Sequence, residues 1–449
     1  MSTFKELISY ANTGEDNLVE RKESLGPILF DFSAQKIPQS FYQDSMSFYE
    51  KNLINKFRDI YEGKTVNFSE NKPVSHFEYR KPIGERNQEY LRHQDEMLEK
   101  SESLKKNIGG PIVFFGIGGS QIAPSFLYES LMTQLEQEVI FITGSDPDEF
   151  NEKLKGKELS ECLYIVVSKS FSTIETLDAY KKVTNLKFME STYAITASSL
   201  EAKKIGIPEE NILEFNQNTG GRFSVWSPVN FLLPLLLGED SYNAFLEGGN
   251  LVDKEILEKE KESLILNLSV QDIFYNNVLG VQTNLILNYD WRLRSFCKYA
   301  QQIEMESNGK RVDLEGNKID HESNAVVWGG YGPESQHSFF QQIYQGTKNY
   351  NIYIIASTKD RNKLNFSQYL GQAKSLQEGS SENIESFKES ESKSFTKIEL
   401  DDITPKSLGV LMASWENKTI LNSLFWNINA FDQWGVELGK QNTKNFTAN

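Results

Sequence analysis

Between Pro111 and about Leu237 the chain alternates short β-branched and aromatic runs with segments of helical pattern. Ile112 to Phe115, Val139 to Thr143, Leu163 to Val167 and Tyr193 to Thr196 read as strands. Such alternation restricts the fold to a parallel sheet with right-handed crossovers and helices on both faces. In that architecture ligand loops lie at the carboxyl ends of the strands. Two of those ends carry chemistry: Gly116-Ile117-Gly118-Gly119-Ser120 after the first strand, and Ser168-Lys169-Ser170-Phe171-Ser172-Thr173 after the third. Both turns point into one crevice if the two strands are neighbours. Ala325 to Trp328 and Asn351 to Ala356 signal a second sheet of the same general type, with fewer strands. No internal repeat of fixed short period is present.

Charge and cysteine usage narrow the function classes. The 63 acidic against 47 basic side chains give a formal charge of −16, which repels nucleic acid and anionic lipid, so an anion site needs a local concentration of positive groups. Met1 to Glu20 lacks a basic segment followed by an apolar core. The longest apolar run, Phe231 to Leu237, is too short to cross a bilayer and contains Pro234. A cytoplasmic protein with neither membrane nor nucleic-acid partner is expected. Cys162 and Cys297 stand apart among apolar neighbours and read as buried free thiols. His76, His93, His321 and His337 do not fall at metal-ligand spacings, so no metal site is assigned.

Each chemical motif admits two readings. The hydroxyls and ammonium of Ser168 to Thr173, with a helix expected to begin near Thr173, form a cradle for a phosphate monoester, using the free N–H groups and positive dipole end of the helix. The same residues also suit an ordinary helix cap. The 116 to 120 turn fits a sugar-phosphate loop better than a dinucleotide fingerprint. It lacks the third glycine, and Asp146 lies three residues past the second strand instead of at its end. Arg222, in Gly220-Gly221-Arg222-Phe223-Ser224 ahead of a helical run from Trp226 to Leu237, suits either an oxyanion or a surface carboxylate. Glu306 sits where a helical stretch beginning near Tyr289 breaks into a loop, a position common for solvated glutamates. His337 follows a Gly-Pro turn, and Gln433 and Lys440 are expected on one face of a last helix. The helical stretch Pro405 to Trp426 reads as apolar on one side. The Ser/Glu-rich tract Gln377 to Ser394 reads as a mobile surface loop or exposed helix.

In this order the pieces resemble the phosphoglucose isomerase (glucose-6-phosphate isomerase) family. The matching runs are GIGGS at 116 to 120, SKSFSTIET at 168 to 176, GGRFSVWSPV at 220 to 229, MESNGK at 305 to 310, SQHSFFQQIYQGT at 335 to 347 and NAFDQWGVELGK at 429 to 440. The resemblance extends from about Asn71 to Gln441. It implies two SIS-type doubly wound α/β/α domains with mainly parallel sheets. Residues 75–237 form the first, 1–74 and 238–433 a larger second with an N-terminal helical extension, and 434–449 a short helical tail. It also implies interconversion of glucose 6-phosphate and fructose 6-phosphate, in glycolysis and gluconeogenesis, without metal or organic cofactor. On that resemblance Glu306 is the base that moves a proton between C1 and C2 through a cis-enediolate, and Arg222 neutralises the enediolate oxygen. His337, helped by Lys440, opens the sugar ring. Gly119, Ser120, Ser168, Lys169, Ser170 and Thr173 hold the phosphate, and Gln433 contacts the substrate. A homodimer in which the partner lends His337 is expected as well.

The chain departs from the family pattern in the loop Gly330 to Ser335 before His337, and in the 377 to 396 stretch, which lacks the family's Gly-Asn-Arg-Pro run. Three rivals remain at this level: an aldose-ketose isomerase of other specificity, a non-catalytic sugar-phosphate sensor and an NAD-dependent enzyme. The joint presence of Glu306, Arg222 and His337, and the lack of a basic DNA-binding segment, weigh against the sensor.

Overall fold

The computed structural model describes residues 3–11, 21–106, 108–132, 135–359, 361–380, 385 and 388–447. The alternating region folds into a five-stranded sheet in the order Val139–Ile142, Ile112–Phe115, Leu163–Val167, Thr192–Thr196 and Ile212–Glu214, with every pairing parallel. All residues of Ile112–Phe115 and Leu163–Val167 are buried, as expected where helices cover both faces. These two strands are hydrogen-bonded neighbours, so their carboxyl-end turns do open side by side.

The second sheet is the larger one, contrary to the sequence expectation. It has six strands in the order Lys22–Leu25, Ile28–Asp31, Phe395–Leu400, Asn351–Ser357, Thr283–Asn288 and Val326–Tyr331, and the first two join antiparallel. Lys397 on Phe395–Leu400 reaches the buried Asp31 carboxylate at 2.7 Å, so a charge that reads as surface belongs to the sheet. The tract from 377 to 394 lies partly outside the described residues. Its described part starts at the end of the helix Leu364–Glu378, where Gly379 takes φ +67°.

The helix Pro405–Phe425 is not apolar on one side. Every residue from Ser407 to Phe425 is buried, including Glu416 and Lys418. Buried charges persist when paired and hydrogen-bonded. Arg80 donates through Nε and Nη2 to Asp253 at 2.6 and 2.7 Å, and through Nη1 to Glu416 at 2.7 Å. Two residues further along, on the other side of the helix, Lys418 lies 2.8 Å from Asp272 and 2.9 Å from Glu304. The expected helical run from Trp226 is interrupted as well: Pro228 starts a short 3-10 turn, and the α-helix covers only Leu232–Leu237. Cys162 and Cys297 are free and buried, with burial pushing the Cys297 thiol up to about 12. Among the described residues no helix is long and apolar enough to cross a membrane.

Candidate active site

The Gly116 to Ser120 turn is built for close approach. Gly118 holds φ +58°, and a Cβ on Gly119 would stand 2.2 Å from the carbonyl carbon and oxygen of Gly221 and 2.5 Å from the Arg222 nitrogen. Only glycine therefore lets this loop lie against the Gly220–Arg222 loop. On the neighbouring strand end, Phe171 takes the left-handed conformation, φ +47°, with its ring buried. That bend turns Ser168 to Thr173 back on itself: the Ser168 and Thr173 hydroxyls lie 2.9 Å apart, and those of Ser170 and Ser172 lie 2.7 Å apart. The helix Ile174–Thr184 begins behind them, and the Thr173 side chain makes no capping bond to it. Its first N–H groups face the loop without a side-chain acceptor from the cap. Burial, reinforced by the like charge of Lys72, pushes the Lys169 ammonium down to about 8.

Arg222 is buried, and each of its three guanidinium nitrogens makes a hydrogen bond. It donates through Nε to the Ser307 hydroxyl at 2.7 Å, through Nη1 to Gln433 Oε1 at 2.9 Å, and through Nη2 to the carbonyls of Ala430 and Asp432. Its Nη1 lies 3.6 Å from the Glu306 carboxylate, which is 28% exposed. Glu306 ends a π-helical turn, Gln302–Glu306, that widens the helix Phe296–Gln301 at its carboxyl end. Such bulges are frequent at functional sites. Gln302 Nε2 donates to Glu306 at 3.0 Å, and the same nitrogen lies 3.3 Å from where a Cβ on Gly118 would be. The glycine loop, the Gln302 amide, the Glu306 carboxylate and the Arg222 guanidinium thus form one contiguous wall. Glu70 adds its field to both Lys169 and Arg222, so the two cations share an electrostatic neighbourhood.

Lys310, Ser307 and Asp432 complete the wall and were not singled out in the sequence as site residues, although the first two lie inside the MESNGK run. Lys310 Nζ donates to the carbonyls of Ser307, Asn429 and Asp432 at 2.9, 2.8 and 2.9 Å and pairs with the Asp432 carboxylate at 3.0 Å. This clamp ties the chain after Glu306 to the segment before Gln433. A cleft of about 1130 Å³ opens beside it, lined by Glu306, Lys310, Asp432 and Gln433.

Gln433 does not share a helix with Lys440. It is neither helical nor extended, with φ −150° and ψ 47°, and precedes a 3-10 turn at Trp434–Val436, with the α-helix starting only at Glu437. The Asn429 amide donates to the Asp432 carboxylate, and the Asn429 carbonyl side chain accepts from Phe431, so local Asn and Asp bonds replace the helical ones. Lys440 is exposed and pairs with Glu437 at 2.7 Å. His337 is exposed at the end of the short helix Gly332–Gln336. Within the chain, then, Glu306, Arg222 and Gln433 meet, Gly119 abuts Arg222, and Ser120 and Ser168 to Thr173 line adjacent strand ends. His337 and Lys440 form no hydrogen bond or ion pair with Glu306 or Arg222 among the described residues. Nor does any group of three His, Cys, Asp or Glu among them have a geometry able to hold a metal.

The chain thus combines two α/β units, one sheet all parallel and one mixed, with hydroxyls and an ammonium at adjacent strand ends and a glutamate beside a buried arginine. The phosphoglucose isomerase family model matches residues 31–449, and the chain belongs to that family. It is 33% identical over 405 residues to the glucose-6-phosphate isomerase of Zymomonas mobilis, covering 85% of this chain and 79% of that one. The Kluyveromyces lactis glucose-6-phosphate isomerase is 31% identical over 465 residues, covering 92% and 83%. Among solved structures, a glucose-6-phosphate isomerase from Chlamydia trachomatis superposes with a TM-score of 0.88 at 25% identity, covering 98% of this chain and 92% of that one. A hypothetical protein from Thermus thermophilus shares the fold, at a TM-score of 0.73 and 20% identity.

Proposed function

We propose that the cleft interconverts glucose 6-phosphate and fructose 6-phosphate by moving a proton between C1 and C2 on Glu306. The observation that carries this reading is the Glu306 carboxylate held 3.6 Å from the buried Arg222 guanidinium. A carboxylate can take the proton from C2 of the open-chain aldose and return it to C1. The negative charge that develops on the enediolate oxygens then meets a cation already fixed by its other partners, which needs no reorganisation during the reaction. The phosphate would sit on Ser120, Ser168, Lys169, Ser170 and Thr173 at the two strand ends, with the Gly119 amide close by and the hydroxyl pairs reopening to donate to its oxygens. Anchoring the phosphate away from the reacting carbons uses remote binding energy to orient the chain. Gln433, already bonded to Arg222, would contact the substrate hydroxyls.

Ring opening is assigned to His337 with Lys440. Both are exposed, which suits a homodimer in which a second copy of the chain presents His337 to this cleft. Domains at 75–237 and at 1–74 with 238–433, followed by a tail at 434–449, are part of the same proposal. The test is steady-state conversion of fructose 6-phosphate by the purified protein beside Glu306→Gln. A fall in kcat of about 10²–10⁴ with KM little changed is expected. Equal activity of the two proteins would remove Glu306 from the reaction.

A further inference from the structure

Glu304 lies two residues before Glu306 on the same π-helical turn and is fully buried, whereas Glu306 faces the cleft. Side chains two apart on a helix point to nearly opposite sides, since each residue advances by about 100°. One turn therefore carries two carboxylates with different fates. Three donors hold the inner one: Lys418 Nζ at 2.9 Å, Asn284 Nδ2 at 3.0 Å and the Trp415 indole N–H, while Lys418 is itself fixed by the Asp272 carboxylate at 2.8 Å. Asn284 and Asp272 are joined through the Asn351 amide, which donates to both at 2.9 and 2.8 Å. The anchors come from the central helix and from strands of the large sheet, so they form a rigid frame.

A buried ion triad is poor economy for stability, because apolar residues of similar volume do as well or better. Its directional bonds instead fix a registry. A π turn has poorer hydrogen-bond geometry than the α-helix that could replace it, and closing it into an α-helix would rotate Glu306 away from Arg222. We propose that Glu304, held by Lys418, Trp415 and Asn284, is the positioning residue that keeps the π turn open and so aims the catalytic base. This inference rests on Glu306 being that base.

The test uses full-length Glu304→Gln and, as a gentler change, Trp415→Phe, which removes one donor to Glu304 and keeps an aromatic ring in place of the indole. Each converts glucose 6-phosphate deuterated at C2 in ordinary water, and the deuterium retained at C1 of fructose 6-phosphate is read by mass spectrometry at low conversion. A base that stays aligned transfers the label, while a displaced one lets solvent exchange it. We expect the retained fraction to fall about twofold or more in both variants, and kcat of Glu304→Gln to fall about tenfold or more with KM little changed. Mere loss of folded protein cannot alter the partition in the molecules that turn over. A wild-type retained fraction in both variants, whatever their kcat, would overturn the proposal. Failure of the wild-type protein itself to convert substrate would instead overturn the isomerase reading on which the proposal stands.

Discussion

Replacing Gly119 by alanine tests whether the glycine loop positions Arg222. The new Cβ would lie 2.2 Å from the Gly221 carbonyl, about 1 Å inside ordinary contact, and the obstacle is backbone and not a flexible side-chain end. Either loop must retreat by about that distance. Arg222 follows Gly221 directly and is held by Ser307, Gln433 and two carbonyls, so its guanidinium moves or loses partners. A misplacement of about 1 Å costs roughly 100-fold in rate, or about 2.7 kcal/mol of transition-state stabilisation. Overpacking adds about 1–3 kcal/mol of lost stability. The assay is kcat/KM for fructose 6-phosphate together with a thermal melt. Gly221→Ala serves as the stability control, because a Cβ there meets nothing within 4 Å. Wild-type kcat/KM and melting temperature in Gly119→Ala would refute the reasoning.

Other perturbations address other parts of the wall and the core. Arg222→Lys keeps the charge but not the fork, and kcat is expected to fall about 10²–10³, with KM changing far less, in the same steady-state assay. Lys169 carries a pKa lowered from 10.5 to about 8, so its cation is present below pH 8 and lost above it. KM should therefore rise between pH 7 and pH 9 while kcat holds, and Lys169→Arg should abolish that rise; a pH series of KM decides. Arg80→Met leaves Asp253 and Glu416 as buried carboxylates without their cation, and urea unfolding at pH 7 should show a loss of about 3–5 kcal/mol.

Much of the candidate site was legible because its residues are local in sequence. The apolar runs Ile112 to Phe115 and Leu163 to Val167 are long enough to read as strands, and their turns carry Gly119, Ser168 and Lys169 in plain order. Other features hide because they are long-range. Thr283–Asn288 begins and ends with polar residues, and Asn284 earns its burial only through Asn351 and Glu304. Phe395–Leu400 alternates with Lys397 and Glu399 and so looks like surface, until Asp31 and Tyr369 supply the partners. For the same reason the helix Pro405–Phe425 read as apolar on one side although it has no exposed face: charged residues such as Glu416 and Lys418 are seldom buried unless paired, and their partners Arg80, Asp272 and Glu304 lie more than a hundred positions away. The π turn is invisible to periodicity, since a single wide turn leaves no repeat to detect. Gln433 left its expected helix because Asn429 and Asp432 supply side-chain bonds that compete with helical ones.

The central claim is that Glu306 carries the proton of the isomerisation. Incubating fructose 6-phosphate with the protein in heavy water and following deuterium at its C1 by nuclear magnetic resonance reads that proton transfer apart from net conversion. Wild-type protein should incorporate deuterium readily, while Glu306→Gln should bind fructose 6-phosphate with similar affinity and incorporate it at least about 100-fold more slowly. Incorporation by Glu306→Gln at the wild-type rate would contradict the account.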